Sequence, residues 1–435
     1  MKNSAQQRSW PLNLNFQPAI AVLALAIAFS LMALVTPVTQ AQTFQVISDF
    51  SGLGSVPMAG LAIDRAGNLY GTTRDGGDYN GSICQLYSYN GCGTVFKLSN
   101  HGSGWIYSQL YLFDGSDGGY PQTPVTIAPN GTVYGATGLG GSCAYSFYGC
   151  GVVYALGPGP RPPSSAFSPW LENVLHVFTG NEDGGPYPSE LVLDAAGNLY
   201  GTTDGGELSA GNVFQAKPYG SGWVVNNLYT FYGTTDGLYP HGVTFDSAGN
   251  LYGGTRQGGN KDCAPFQGCG VIFELSPSGS GWIETVLHVF DQNTEGGGPG
   301  AVIFDKAGNM YGVTRGLVNP GTVWEMSPSN GGWTFNILYR FTGYNDSGPD
   351  GRLNMDAAGN LYGVTNRGGL YNDGNVFKLS PSNSGWTYTD LYDFQGADDG
   401  CAPDGFVTFD ANGDIFGTAS GCGKYLVGTV WKITP

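Results

Sequence analysis

The sequence predicts an all-β fold, a seven-bladed β-propeller with four-stranded blades in which the N-terminal strand completes the last blade. Two observations predict it: one short phrase recurs seven times, and similar strand-like segments follow each copy in the same order. The final glycines of successive copies lie 51 to 66 residues apart. The copies span residues 64–71, 128–135, 194–201, 246–253, 305–312, 356–363 and 410–417.

The composition agrees with this fold class. Glycine accounts for 73 of the 435 residues, and charged residues make up only 11%. No helical periodicity continues beyond the N-terminus, so many short strands joined by glycine-rich turns are expected. The repeats predict one closed domain over residues 42–435.

The phrase forms the first hairpin of each blade. In the first copy, strand one covers residues 60–64 and strand two covers residues 69–73. Gly67 suits the left-handed position of the turn between them. Asp64 can accept hydrogen bonds from the N–H groups of that turn, so its predicted role is structural rather than catalytic.

Two further strands complete each blade. The third begins at a Gly-Thr-Val-Phe-like motif, as in residues 93–98, and the fourth begins at a tryptophan, as in residues 105–113. The unit of the first three strands occurs seven times, whereas a fourth strand follows only six of these units. Residues 43–50 resemble a fourth strand, so we expect them to close the ring and remove exposed edges. A β-solenoid is the competing fold, and it would need capped ends.

Residues 1–41 have the features of a signal peptide. Lys2 and Arg8 precede an apolar run over residues 19–35, and small residues favour cleavage after Ala41. An uncleaved anchor is the alternative, because a run of this length is at the lower limit for a membrane span. We therefore expect a secreted, periplasmic or cell-surface protein whose mature chain has no transmembrane domain. Its net charge of −16 argues against nucleic acid as a partner.

Eight cysteines in an exported chain indicate disulfides. They fall into four close pairs, and the metal alternative lacks Cys-x-x-Cys spacing and neighbouring histidines. The predicted bridges are Cys84–Cys92, Cys143–Cys150, Cys263–Cys269 and Cys401–Cys422.

The two faces of the predicted ring differ. The loops between second and third strands share one face with the links between blades, and the hairpin turns share the other. The long loops of the first, second and fourth blades carry aromatic rings that could stack on sugars or anchor a protein. Packing of these rings on one another is the alternative. The candidate binding residues are Tyr79, Tyr87, Tyr89, Tyr145, Phe147, Tyr148 and Phe266.

The links between blades carry an acidic residue near one position. A ring of carboxylates around the central mouth would attract cations, and calcium is the candidate, although it needs several oxygen ligands. Asp-Gly turn chemistry without a metal is the alternative, and no other cofactor is expected. These residues are Asp117, Asp183, Asp236, Glu295, Asp346 and Asp399.

Signals for catalysis are sparse. His176 and His288 occupy equivalent positions of fourth strands and are predicted to be structural, and His101 lies in a hairpin turn. His241 is the histidine on the loop-rich face, so it is the candidate for acid–base chemistry. No nucleophile elbow, phosphate loop or zinc motif is present in the sequence.

The phrase Asp-x-x-Gly-Asn-Leu-Tyr-Gly, followed by Gly-Thr-Val-Phe-Lys-Leu, resembles the GloVer-type tandem repeat of bacterial surface proteins over nearly all of residues 44–435. The hairpin alone is similar to NHL-type propeller repeats. The resemblance implies an exported, often surface-attached protein, and it implies no particular activity.

These observations predict a secreted or cell-envelope binding module whose loop-rich face engages a polysaccharide or an envelope protein. One alternative is an extracellular lyase or hydrolase that uses mouth carboxylates and His241. Another is a structural coat component. Sparse histidines favour binding over catalysis, and long loops on only three blades favour a localised site over a uniform coat.

Overall fold

The computed structural model describes residues 42–435 apart from residues 53, 78–83, 85–90, 103, 144–148, 160–169, 182, 206–209, 234, 260–262, 264–266, 280, 317–319 and 344–348. In this part of the chain, 28 strands form seven antiparallel sheets of four strands each. The predicted seven-bladed propeller is therefore confirmed. The predicted signal peptide, residues 1–41, lies outside the described residues.

The strands follow the chain in groups of four after the N-terminal strand. They are β1 (Thr43–Asp49); β2 (Ala62–Ile63), β3 (Leu69–Thr73), β4 (Thr94–Asn100) and β5 (Trp105–Leu112) in blade one; β6 (Thr126–Ile127), β7 (Val133–Thr137), β8 (Val152–Pro158) and β9 (Trp170–Val177) in blade two; β10 (Val192–Leu193), β11 (Leu199–Thr203), β12 (Asn212–Tyr219) and β13 (Gly222–Thr230) in blade three; and β14 (Leu238–Phe245), β15 (Leu251–Gln257), β16 (Val271–Ser278) and β17 (Gly281–Val289) in blade four.

The remaining blades follow the same order. They are β18 (Ile303–Phe304), β19 (Met310–Thr314), β20 (Thr322–Ser329) and β21 (Gly332–Arg340) in blade five; β22 (Pro349–Met355), β23 (Leu361–Thr365), β24 (Asn375–Ser382) and β25 (Gly385–Asp393) in blade six; and β26 (Cys401–Phe409), β27 (Ile415–Gly421) and β28 (Thr429–Thr434) in blade seven.

The N-terminal strand closes the ring as predicted. The order in the seventh blade is β1-β28-β27-β26, with Thr43 opposite Thr434. Blade seven is also joined to blade one, because the Thr418 hydroxyl donates to the backbone carbonyl of Ala59 at 2.9 Å. The first and last strands of the domain therefore lie in one sheet, and the seventh blade has its full complement of four strands.

The final glycine of each phrase makes room for a ring on the third strand. A Cβ atom added to Gly312 would lie 2.3 Å from Trp324, its partner across β19 and β20. An added Cβ would meet a ring atom at 2.2 to 2.9 Å in all seven blades, and each of these rings is fully buried. A side chain here would displace the core. The pairs are Gly71–Phe96, Gly135–Tyr154, Gly201–Phe214, Gly253–Phe273, Gly312–Trp324, Gly363–Phe377 and Gly417–Trp431.

The aspartate of the phrase fixes the turn and the tyrosine joins the blades. Asp305 Oδ1 accepts the backbone N–H groups of Ala307 and Asn309, both at 2.8 Å. Its Oδ2 accepts the side-chain amide of Asn309 at 2.8 Å and the Tyr311 hydroxyl at 3.2 Å. Burial raises the pKa of Asp305, but these hydrogen bonds outweigh it and hold that pKa below its usual value. The Tyr311 ring meets Trp386 of the next blade at 6.0 Å. These contacts support the predicted structural role.

We expect Gly312→Ala to lower the free energy of unfolding by about 1–3 kcal/mol, because its Cβ would force Trp324 from its place. Gly332→Ala, in β21 of the same blade, is the matched control, since a Cβ there would have no neighbour within 4 Å. The control should change stability by less than about 0.5 kcal/mol. Chemical denaturation measures both, and equal effects would contradict this account.

Candidate functional site

A cavity of about 440 Å³ lies at the centre of the ring, on the loop-rich face. All seven blades contribute to its wall, through residues just before or within first strands and through residues at the ends of second strands. The cavity is therefore the mouth of the central channel. Concave sites of this size are typical of small-ligand binding in proteins.

Two tyrosines line the mouth because of the Tyr-Pro links between blades. Tyr120 and Tyr187 have φ angles of 63° and 60°, in the left-handed region that residues other than glycine seldom adopt. The proline after Tyr120 holds the link, since a Cβ added to Gly93 would lie 2.5 Å from Pro121 Cδ. Gly138 leaves space for the other ring, because an added Cβ would lie 2.7 Å from Cδ1 of Tyr187.

An ion pair spans the channel from the third blade to the sixth. Arg352 Nη1 lies 2.9 Å from Glu190 Oε1, and the Arg352 guanidinium lies 4.2 Å from the centre of the Phe406 ring. Nε of Arg352 is buried and has no hydrogen-bond partner among the described residues. A buried donor of this kind is available to a ligand or to ordered water.

A second charged group lies between the third, fourth and fifth blades. Arg256 Nη1 is 3.4 Å from Asp204 Oδ2. Burial raises the pKa of Asp204 to about 6, and Arg256 partly offsets this effect. Burial, followed by the positive charges of Arg256 and Arg315, lowers the pKa of His241 to about 3. The His241 imidazole is therefore neutral at physiological pH.

The structure places His241 in β14, on the wall of the channel mouth. It does not bring together the five predicted acidic residues that it describes. Each of these five carboxylates accepts a hydrogen bond from a side chain on the fourth, outermost strand of its own blade. The sixth, Asp346, lies outside the described residues. The pairs are Tyr111–Asp117 at 2.5 Å, His176–Asp183 at 3.0 Å, Tyr229–Asp236 at 3.3 Å, His288–Glu295 at 3.0 Å and Tyr392–Asp399 at 2.9 Å.

These acidic residues also hold the links that follow the fourth strands. Asp236 accepts the backbone N–H groups of Tyr232 and Gly233, and Asp399 accepts that of Gln395 at 2.9 Å. The structural role predicted for His176 and His288 agrees with their pairing, because tyrosine occupies the same position in other blades.

The four predicted disulfides are all present: Cys84–Cys92, Cys143–Cys150, Cys263–Cys269 and Cys401–Cys422. The seven candidate aromatic residues, Tyr79, Tyr87, Tyr89, Tyr145, Phe147, Tyr148 and Phe266, lie outside the described residues.

The sequence analysis missed the charged groups of the channel mouth. Asp204, Arg256 and Arg315 each lie three residues after the final glycine of the phrase, at a position that is Gly138 in blade two and Ser420 in blade seven. Charged residues at one repeat position were the available signal.

Fold and site together define this protein as a propeller with a charged, concave channel mouth. The family model described as the Gloeobacter/Verrucomicrobia repeat matches residues 146–353 and 315–435. The chain belongs to this family, which confirms the resemblance seen in the repeats. No relative was found among curated proteins.

Solved structures that resemble the chain share little of its sequence. The extracellular domain of the "putative one component system" from B. thetaiotaomicron is 10% identical with a TM-score of 0.51, covering 89% of this chain and 39% of that chain. A "putative 6-phosphogluconolactonase" from Bacteroides uniformis is 13% identical with a TM-score of 0.49, covering 75% of this chain and 84% of that chain.

Within the described residues, no helix is both long and apolar enough to span a membrane.

Two glutamates of the outer strands lie beside the acidic links. Burial, followed by the charges of Asp117 and Asp114, raises the pKa of Glu172 to about 7. Burial and Asp236 raise the pKa of Glu284 to about 7 as well. Oε1 of each glutamate is buried without a hydrogen-bond partner among the described residues. In the folded state both glutamates therefore keep their protons at pH values at which the unfolded chain has already lost them.

We expect the free energy of unfolding to fall as the pH rises from about 5 to about 8, because both glutamates then lose their protons in the folded state. The double variant Glu172→Gln, Glu284→Gln should show a smaller decrease. Chemical denaturation at both pH values measures it. Asp398→Asn, which removes an exposed carboxylate, is the control and should retain the wild-type slope. An unchanged slope in the double variant would refute this assignment.

Proposed function

We propose that this chain is an exported β-propeller that binds a polysaccharide at the mouth of its central channel. The cavity of about 440 Å³, with Tyr120 and Tyr187 beside charged side chains, carries the proposal. Aromatic rings offer an apolar face to a sugar ring, and charged groups fix its hydroxyls through hydrogen bonds. The loop aromatics, including Tyr87 and Tyr145, remain predicted binding residues.

Export is the second part of the proposal. Residues 1–41 would act as the signal peptide, and four disulfides are typical of proteins that fold in an oxidising compartment. The similar propeller from B. thetaiotaomicron is itself an extracellular domain. The mature protein would then meet its ligand in the periplasm, at the cell surface or in the medium.

Retention on polysaccharides tests the binding function. We would express the full chain in an exporting host and measure its co-sedimentation with cellulose, chitin, xylan and gelled polygalacturonate. Tyr187→Asn should weaken retention about tenfold, because the ring is lost while asparagine tolerates the left-handed backbone. Tyr219→Asn, an exposed tyrosine on the opposite face, is the matched control.

Other outcomes would contradict the proposal in different ways. Retention that depends on Tyr87 and Tyr145 but not on Tyr187 would move the site from the channel to the rim. No retention on any polymer would leave an envelope-protein partner, and large assemblies in size-exclusion chromatography would favour a structural coat.

A lyase activity is the second candidate function, favoured by the placement of His241. Removal of the proton beside a uronate carboxylate needs a neutral base and cations next to that carboxylate. His241 is a neutral imidazole, and Arg256 and Arg315 lie close enough to lower its pKa. That low pKa makes it a weak base, which is why binding ranks first, although a bound carboxylate would raise it.

In such a reaction the C–H bond breaks and its proton passes to the imidazole. The electron pair forms a C=C bond, the glycosidic C–O bond breaks, and the leaving oxygen takes up a proton. We expect His241→Asn to abolish ultraviolet-absorbing unsaturated products from polygalacturonate while retention persists. Products that persist in this variant would exclude His241 as the base, and absence of products from the wild type would leave the binding function alone.

A further inference from the structure

The lining of the channel mouth ends at the same repeat position in all seven blades. This position directly precedes a buried valine or leucine, such as Leu61 in blade one and Leu353 in blade six. No described residue between this position and the hairpin turn of the phrase lines the cavity. The hairpin turns lie on the opposite face, so the cavity ends at this level of the channel. We call the seven residues at this position the floor residues, and four of them are compact: Gly60, Pro124, Gly242 and Ala301.

The other three floor residues, Glu190, Arg352 and Phe406, cross the channel at the bottom of the cavity. Arg352 of blade six reaches Glu190 of blade three, with 2.9 Å between Nη1 and Oε1. The Arg352 guanidinium also lies 4.2 Å from the centre of the Phe406 ring. That ring packs against blade one, because a Cβ added to Gly60 would lie 2.6 Å from Cδ1 of Phe406. A saccharide that enters from the loop-rich face therefore meets these three side chains.

A cavity of this shape favours the end of a chain. All seven blades enclose it, and the side chains at its bottom leave the loop-rich face as the way in. An internal segment of a polysaccharide continues in two directions, so both flanking stretches would have to leave through the same opening. A chain end continues in one direction and enters without a bend. The volume of about 440 Å³ lies within the usual range for whole small ligands, so it can hold a terminal saccharide unit.

The floor also offers the hydrogen bonds that a terminal hydroxyl needs. Nε of Arg352 is a buried donor without a partner among the described residues. The Glu190 carboxylate accepts Nη1 of Arg352 and can accept further hydrogen bonds, since a carboxylate has about four acceptor positions. A hydroxyl can accept from Nε and donate to a carboxylate. A glycosidic oxygen, which takes the place of that hydroxyl within a chain, has no proton to donate.

We infer that the channel mouth binds the end of a saccharide chain, with the terminal hydroxyl on Arg352 and Glu190. This inference rests on the proposed binding function and specifies its ligand class as chain ends rather than internal segments. A site built to hydrogen-bond a hydroxyl rejects a ligand that lacks it, because its buried polar groups are then left unpaired.

Chain length separates ends from internal segments. We would measure the Kd of the exported full-length protein for two fractions each of xylan and polygalacturonate, prepared by limited hydrolysis. If the mean lengths differ about tenfold, an end-binding protein has the same Kd per mole of chain for both fractions, whereas binding of internal segments lowers the Kd about tenfold for the longer one. For cellulose and chitin, the saturation capacity per unit of surface area should rise in proportion to the chain ends that hydrolysis creates.

A conservative variant tests the floor. Arg352→Lys retains a cation for Glu190 but has no Nε donor, so it should weaken binding of the shorter fractions about tenfold. Arg65→Lys makes the same exchange at an exposed arginine on the opposite face and should bind as the wild type does. Melting temperatures report folding, and if Arg352→Lys does not fold, the chain-length measurement on the wild type decides alone.

The outcomes distinguish this inference from the proposal on which it rests. A Kd per mole of chain that falls with length, or a capacity that does not follow the chain ends, would overturn end binding and leave the polysaccharide-binding function intact. Wild-type affinity in a folded Arg352→Lys variant would overturn the floor as the site of the terminal hydroxyl. No binding of any of the four polymers would overturn both.

Discussion

The contact between a glycine on the second strand and an aromatic ring on the third strand is the constraint on which the structure depends. It recurs in all seven blades, and every one of these rings is fully buried. Because the glycine leaves only enough space for the ring, the centre of each blade is close-packed. Seven equivalent blades can then form a closed ring, with β1 completing the last one.

This arrangement leaves the loop-rich face free to vary. On the other face, an aspartate holds the turn of the phrase in every copy except the second, which has Ala128. Asp305, for example, accepts the backbone N–H groups of Ala307 and Asn309. The packing of the blade core does not restrict the residue three positions after the final glycine of the phrase, where glycine, serine, aspartate and arginine all occur. Isolated charges at this position, supplied by separate blades, therefore meet around one opening, which is how a rigid scaffold usually carries function.

The acidic links show what the repeats predict and what they leave open. Their period correctly assigns Asp117 and Asp399 to the loop-rich face. The repeat period carries no information about how far these residues lie from the axis of the ring. Their hydrogen-bond partners, Tyr111 and Tyr392, belong to outermost strands. The carboxylates therefore hold the links against the outermost strands. By contrast, Glu190 of blade three reaches Arg352 of blade six across the channel.

The sequence by itself determined the number of blades, the strand order, the closure of the ring and the disulfide pairs, because each depends on local patterns repeated along the chain. It also assigned His241 to the correct face. The tertiary structure alone decided which side chains share the channel mouth. Arg256, Arg315 and Arg352 come from three blades, and their proximity follows from the radius of the closed ring, which no segment of the sequence encodes separately.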